Sequence, residues 1–353
     1  MTSRYANVVP IMRLAEFTER VDVRSPSEYA LDHVPGALSH PVLDDAQRAR
    51  IGTLHQQDSA FAARKAGAAL VARNIATMLE SSFAGHPREW QPLVYCWRGG
   101  KRSGALTHVL NEIGWKAVQL DGGYKAYRRH VIDELAHLPQ AFSYRVICGV
   151  TGSGKSRLLL ALGEAGAQVL DLEALASHRG SLLGDLPDSP QPSQKGFESL
   201  LWEQLTRLDP ARPVYVESES KKVGEIRVPQ NLIERMWRSP CLRVEATLVQ
   251  RLALLRAEYA HFIADPEALH GKLGHLSALR GIAATARWRA LSAAGEWDAL
   301  VEDLLVEHYD PAYLRSMRLN YPRYDSAAAV ELEAIDESAF ADAALRIVND
   351  YGG

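Results

Sequence analysis

Two stretches of this chain share one order of parts, an apolar run, a glycine-rich loop and a helical segment, and that order calls for parallel α/β sheets. In the first, residues 92–95 run into Cys96-Trp97-Arg98-Gly99-Gly100-Lys101-Arg102-Ser103. In the second, Tyr144-Arg145-Val146-Ile147-Cys148 runs into Gly149-Val150-Thr151-Gly152-Ser153-Gly154-Lys155-Ser156. Strand–loop–helix–strand units form parallel sheets and place their loops at the carboxyl edge. The second loop also fills every fixed position of the G-x-x-x-x-G-K-[ST] phosphate-binding pattern.

A chain of 353 residues is long enough for two domains at roughly 150 residues each. The expected fold class is α/β, with one parallel-sheet domain over residues 1–138 and a P-loop NTPase-like parallel-sheet domain over 139–353 that carries a helical C-terminal region. In the first domain, Val21-Asp22-Val23-Arg24 reads as a strand, Ser25-Pro26-Ser27-Glu28 as a capped helix start, and 44–82 as a helical insert. Residues 103–113 read as a helix, 117–120 as a strand closed by Asp121-Gly122-Gly123, and 124–138 as a connector. In the second domain, 156–164 reads as a helix and 168–172, 214–217 and 242–245 as strands. Residues 266–318 are mostly helical in pattern. The polar stretch 177–196, with Pro187, Pro190 and Pro192, reads as a long functional loop that could cover a ligand at the Gly149 loop.

Thiolate character needs positive charge or backbone N–H groups close to sulfur. Arg98, Lys101 and Arg102 offer the charge, and Gly99 and Gly100 let the backbone curl its amides inward. Cys96 is therefore a candidate nucleophile; a buried structural cysteine is the plain alternative, and the one assigned to Cys148 and Cys241. The spacing from Cys96 to Arg102 also fits the C-x5-R loop of cysteine phosphatases. Tyr95, however, stands where those enzymes commonly carry histidine, and no general-acid aspartate is evident.

In the Gly149 loop, Gly149, Thr151, Gly152, Ser153 and Gly154 offer backbone to a diphosphate, Lys155 reaches its outer phosphate, and Ser156 can ligate Mg²⁺. Glu217 ends an apolar strand where a metal-associated acid often sits. Glu219 is equally near, and a solvated strand end is the alternative reading. Arg251 and Arg256 are further candidates for a phosphate clamp. The pattern recognises diphosphate and is silent on what is attached to it.

The formal net charge of −3 gives no whole-protein basic field, so a nucleic acid would be held by local patches. Candidates are Arg128-Arg129-His130, Lys221-Lys222, Arg287 with Arg289, and Arg315 with Arg318 and Arg323. Tyr124, Tyr127, Trp288, Tyr313, Tyr321 and Tyr324 lie nearby as stacking partners for single-stranded RNA. Three cysteines without paired spacing argue against a disulfide framework or zinc site and for a reducing compartment. No spanning segment is evident, so cytoplasm is the expected location and no membrane the expected partner.

Residues 22–29, His33-Val34-Pro35-Gly36-Ala37, Cys96 and Leu120-Asp121-Gly122-Gly123-Tyr124 together resemble the rhodanese family, in which the loop cysteine carries sulfur as a persulfide. The insert between Ala37 and Leu93 is longer than a minimal rhodanese-like domain. Fused ahead of a P-loop domain, this pattern resembles the tRNA 2-selenouridine synthase family over about residues 15–325. The resemblance implies conversion of wobble 2-thiouridine in tRNA to 2-selenouridine. It further implies S-geranylation by geranyl diphosphate and then selenium transfer from selenophosphate, with selenium held on Cys96 as a perselenide. Two other classes compete: a P-loop kinase or nucleotide-driven regulator with a rhodanese-like sensor domain, and a cysteine phosphatase using Cys96.

Overall fold

The computed structural model describes residues 7–351. By contact density the chain forms two units, Met1–Leu135 with Pro192–Glu203, and Ala136–Gln191 with Gln204–Gly353.

The first unit holds a sheet of β1 (Val8–Val9), β2 (Arg20–Asp22), β3 (Ala37–Ser39), β4 (Leu93–Tyr95) and β5 (Val118–Leu120). Its spatial order is β1-β5-β4-β2-β3, and every pair is parallel. The central β4 is buried along its whole length, which explains its unbroken apolar sequence. The order reverses between β2 and β4, so Cys96 leaves the sheet at a topological switch point, where open α/β sheets form their ligand crevices. Val21, Val94, Leu106, Leu110 and Phe83 close the core around it.

The insert is two helices, Asp45–Gln57 and Ala60–Glu80, divided where Ser59 caps the second by accepting from the Ala62 amide. The first buries none of its residues, whereas the second turns Ala63, Ile75 and Met78 into the core. The helix Pro26–Leu31 starts as the sequence indicates, with the Ser25 amide donating to Glu28 at 3.2 Å. The connector is the helix Gly123–Leu135 followed by a short 3₁₀ turn, Leu138–Ala141.

The second unit holds β6 (Tyr144–Cys148), β7 (Gln168–Leu170), β8 (Val214–Glu217), the hairpin β9 (Lys222–Val223) and β10 (Ile226–Arg227), β11 (Cys241–Glu245) and β12 (Ala328–Glu331). Its main sheet runs β12-β11-β6-β8-β7, all parallel, with β6 central. The chain fills one side of β6 and then the other, so the Gly149 loop also leaves a switch point. Helices Lys155–Glu164 and Glu337–Tyr351 share a core of Leu158, Leu162, Phe340, Ala343 and Ile347. β12 is absent from the sequence reading because only Val330 of its four residues is buried. Between β11 and β12 a helical region packs around Phe262, Leu269, Leu273, Trp288 and Leu300. Residues 177–193 carry no helix or strand, only isolated bridges such as His178 with Asp185. The following helix begins at Gln194, two residues before the expected end of the loop.

Candidate active site

Cys96 follows β4 directly and the helix Lys101–Ile113 follows its loop. Its sulfur accepts from the Gly100 amide at 3.3 Å and from the Ser103 hydroxyl at 3.2 Å. The residue is only 3% exposed. Burial opposes ionisation, but hydrogen bonds from the Ser103 hydroxyl and the Ser103, Arg98 and Gly100 amides outweigh it, and the thiol pKa lies below the ordinary cysteine value.

The cause differs from the sequence expectation, which gave the side-chain cations a main part. Arg102 pairs with Glu28 at 2.8 Å, and Arg98 and Lys101 are exposed. Gly99 adopts a left-handed φ of +61°, and a Cβ there would stand 2.4 Å from the Leu120 carbonyl. Gly123, at φ +54°, would put a Cβ 2.2 Å from the Cys96 carbonyl. The Asp121-Gly122-Gly123 turn is thus packed against the cysteine loop, with Tyr124 N donating to Cys96 O at 2.8 Å.

The remaining residues of the rhodanese-like pattern brace this loop. Arg24 and Asp22 form a buried ion pair at 2.6 Å, and Arg24 lies 3.9 Å from the Tyr124 ring centre. Tyr124 donates to Asp32 at 2.6 Å, and Tyr95 accepts from the Val34 amide at 3.1 Å. By contrast, burial pushes the Cys148 thiol well up. Cys148 and Cys241 both lie buried in adjacent strands, consistent with core roles.

In the second loop Gly152 and Gly154 take left-handed φ values of +77° and +86°. Lys155 Nζ donates to Gly149 O at 2.9 Å, and the Gly149 amide donates to Tyr313 Oη at 2.7 Å. Arg251 pairs with Asp310 at 2.6 Å and donates to Thr151 O at 2.8 Å, so its guanidinium is engaged in bracing the loop. Arg256 pairs with Asp298 at 3.0 Å.

Glu217 has two carboxylate companions. Glu173, Glu217 and Glu219 each offer an oxygen within 4.8 Å of the others, and Ser156 Oγ donates to Glu173 at 3.3 Å. Burial, then repulsion among the carboxylates, raises Glu173 to about 8, Glu217 to about 8 and Glu219 to about 7, with Lys155 pulling the other way. Glu217 Oε1 is buried without a hydrogen-bond partner. Oxygen donors, excess negative charge and an orphaned oxygen fit a hard divalent cation such as Mg²⁺. Glu173 escapes a motif search because it lies 44 residues before Glu217; its signal is an acid just past the carboxyl end of β7. Gly180, in the irregular 177–193 segment, would put a Cβ 2.9 Å from Glu173 Oε1, so that segment does border the site.

The aromatic residues proposed as stacking partners are mostly core. Trp288 and Tyr127 are fully buried, and Tyr124, Tyr321 and Tyr324 nearly so. The basic residues Arg129, Lys221, Lys222, Arg289, Arg315, Arg318 and Arg323 are exposed. Stacking on those five rings is excluded, because each is packed by its own domain.

A profile described as a rhodanese-like domain matches residues 13–130, and one described as the tRNA 2-selenouridine synthase AAA domain matches 142–280. A tRNA 2-selenouridine synthase of Shewanella halifaxensis is 31% identical over 330 residues, covering 83% of this chain and 87% of its own. The chain belongs to the tRNA 2-selenouridine synthase family. Family members from Marinobacter nauticus and Nitrosomonas europaea are each 34% identical, over 72% and 69% of this chain. Those alignments span 66% and 63% of the two relatives' own lengths. The two profiles cover Cys96 and the Gly149 loop respectively. Among the described residues no helix is long and apolar enough to cross a membrane.

Proposed function

We propose that this chain converts 2-thiouridine at the wobble position of tRNA into 2-selenouridine in two steps, one for each loop. In the first, the thiocarbonyl sulfur attacks the allylic carbon of geranyl diphosphate; the carbon–oxygen bond breaks and diphosphate leaves with the electron pair. Alkylation turns a poor leaving group into one that departs as a thiol. The Gly149 loop, through its amides and Lys155, stabilises the departing diphosphate. Ser156, Glu173, Glu217 and Glu219 would hold a Mg²⁺ ion, which when bound adds positive charge beside that leaving group. In the second step the selenium of selenophosphate bonds to C2 of the base and geranylthiol departs; water then breaks the selenium–phosphorus bond and phosphate leaves, so no oxidant or reductant is needed, and Cys96 is the residue that holds the selenium donor in place.

The observation that carries this reading is the convergence of the first loop's donors on its own sulfur. The same amides and the Ser103 hydroxyl suit an anionic chalcogen at that point. In a phosphatase the arginine of the C-x5-R loop clamps phosphate, whereas Arg102 is engaged with Glu28. The basic residues left exposed supply phosphate contacts for tRNA without the stacking aromatics.

The test is mass analysis of wobble nucleosides after incubating 2-thiouridine tRNA with the protein. Geranyl diphosphate alone should give S-geranyl-2-thiouridine, and added selenophosphate should carry it to 2-selenouridine. ATP turnover with neither product would favour a nucleotide-driven regulator instead.

A further inference from the structure

Beside the Gly149 loop lies an apolar cavity whose lining includes Thr151 of the loop, Leu183, Leu255, Phe262, Leu300 and Val301. Its wall is part of the loop's own packing, since a Cβ on Gly152 would meet the Leu255 side chain at 2.8 Å. Among the polar groups on the lining, Ser181 and Tyr259 hydroxyls face each other at 3.5 Å and Arg256 is held by Asp298, while the buried Tyr309 hydroxyl has no hydrogen-bond partner. Leu183 comes from the same irregular segment that brings Gly180 against Glu173, so one stretch of chain borders both the carboxylate cluster and the cavity.

A ligand with a diphosphate in the loop and its other end in this cavity has to be hydrocarbon there. A purine and ribose would bury several donors and acceptors against a wall whose one hydroxyl shown without a partner, Tyr309, could pair only one or two of them, and unpaired buried polar groups oppose binding strongly. We infer that the cavity receives the hydrocarbon tail of an allylic diphosphate, and that this contact distinguishes the prenyl donor from free diphosphate. The inference rests on the reading of the Gly149 loop as the donor site.

Each buried methylene is worth roughly a fourfold gain in affinity. Calorimetric titration of the full chain with Mg²⁺ present should therefore rank geranyl above dimethylallyl above inorganic diphosphate, with at least about a hundredfold between the ends, the gain from roughly three to four fully buried carbons of the ten. Val301 and Ile263 line the cavity and are only half-buried, so bulky replacements there can be accommodated by the fold. Val301→Trp, and independently Ile263→Trp, should weaken geranyl diphosphate about tenfold or more by displacing two or three methylenes, and leave inorganic diphosphate binding unchanged. Unchanged diphosphate binding also reports an intact fold. If both variants keep the full preference for geranyl diphosphate, the tail lies elsewhere and the inference fails while the donor reading stands. If the wild-type chain shows no preference for geranyl over inorganic diphosphate, or binds ATP more tightly than either, the donor reading fails and takes the inference with it. The chain-length ranking needs no variant, so a misfolded substitution leaves the question decidable.

Discussion

The Cys96 loop and the Gly149 loop are built alike and put their donors to different uses. Each leaves a buried parallel strand at a switch point and feeds a helix through glycines in left-handed conformations. In the first loop the donors close on a sulfur that belongs to the chain, 3.3 Å from the Gly100 amide. In the second, the residue after the strand is a glycine, and Lys155 and Ser156 border a cluster of three carboxylates. The same strand–loop–helix geometry thus stabilises an internal anion or receives an external one. The residue at the loop's first position decides which: a cysteine supplies its own charge, and a glycine leaves room for a ligand's.

The comparison breaks most severely at the glycines. Gly123→Ala should destabilise the first unit by about 3 kcal/mol or more, because strain at positive φ adds to a backbone clash that no side chain can relieve. Denaturant unfolding would show it. Gly149→Ala meets the Ser153 hydroxyl at 2.4 Å and the Val244 carbonyl at 2.9 Å but carries no strain from a positive φ, so its stability cost should be smaller than that of Gly123→Ala and it should also lose diphosphate binding.

Next in size, Lys155→Ala should weaken inorganic diphosphate about a hundredfold, or ~2.7 kcal/mol, by removing a charge-assisted contact. Cys96 alkylation by a small reagent should be unchanged in that variant. A smaller effect is expected from the carboxylates. Mg²⁺ should raise the melting temperature by a few degrees, about 1–2 kcal/mol. Glu217→Gln should raise the melting temperature of the metal-free protein, since a buried carboxyl whose ionisation burial opposes up to about pH 8 becomes a neutral amide, and blunt the response to Mg²⁺.

The smallest effect sharpens the first loop. The lowered Cys96 pKa means alkylation and selenium transfer persist below the pH at which an ordinary thiol protonates, and fall as pH drops through the lowered value. Ser103→Ala should move that midpoint upward by about one unit, the size of one hydrogen bond to the thiolate. Arg98→Ala should move it far less if amides and hydroxyl hold the charge.

Both loops were legible in the sequence because their signals are local: an apolar run, glycines at fixed spacing, and a helix. Strands β6 and β8 follow the sequence reading residue for residue for the same reason. What was hidden depends on long-range folding. Glu173 joins Glu217 only because β7 and β8 lie side by side in a parallel sheet. Val8–Val9 and Ala328–Glu331 are edge strands with too little apolar sequence to stand out. The aromatic residues near the basic clusters looked like a binding surface because charge and ring are adjacent in sequence. In the helix Gly123–Leu135 the geometry turns Arg129 out and Tyr124 and Tyr127 in, and Arg128 is buried with the rings.

The most direct test of this division of labour uses Cys96→Ala and Lys155→Ala on two substrates, 2-thiouridine tRNA and tRNA already S-geranylated. With geranyl diphosphate and selenophosphate present, Cys96→Ala should turn the first substrate into geranylated tRNA and stop, and leave the second unchanged. Lys155→Ala should leave the first unchanged and convert the second to 2-selenouridine. Loss of both steps in either folded variant, or selenation by Cys96→Ala, would contradict the assignment of one step to each loop.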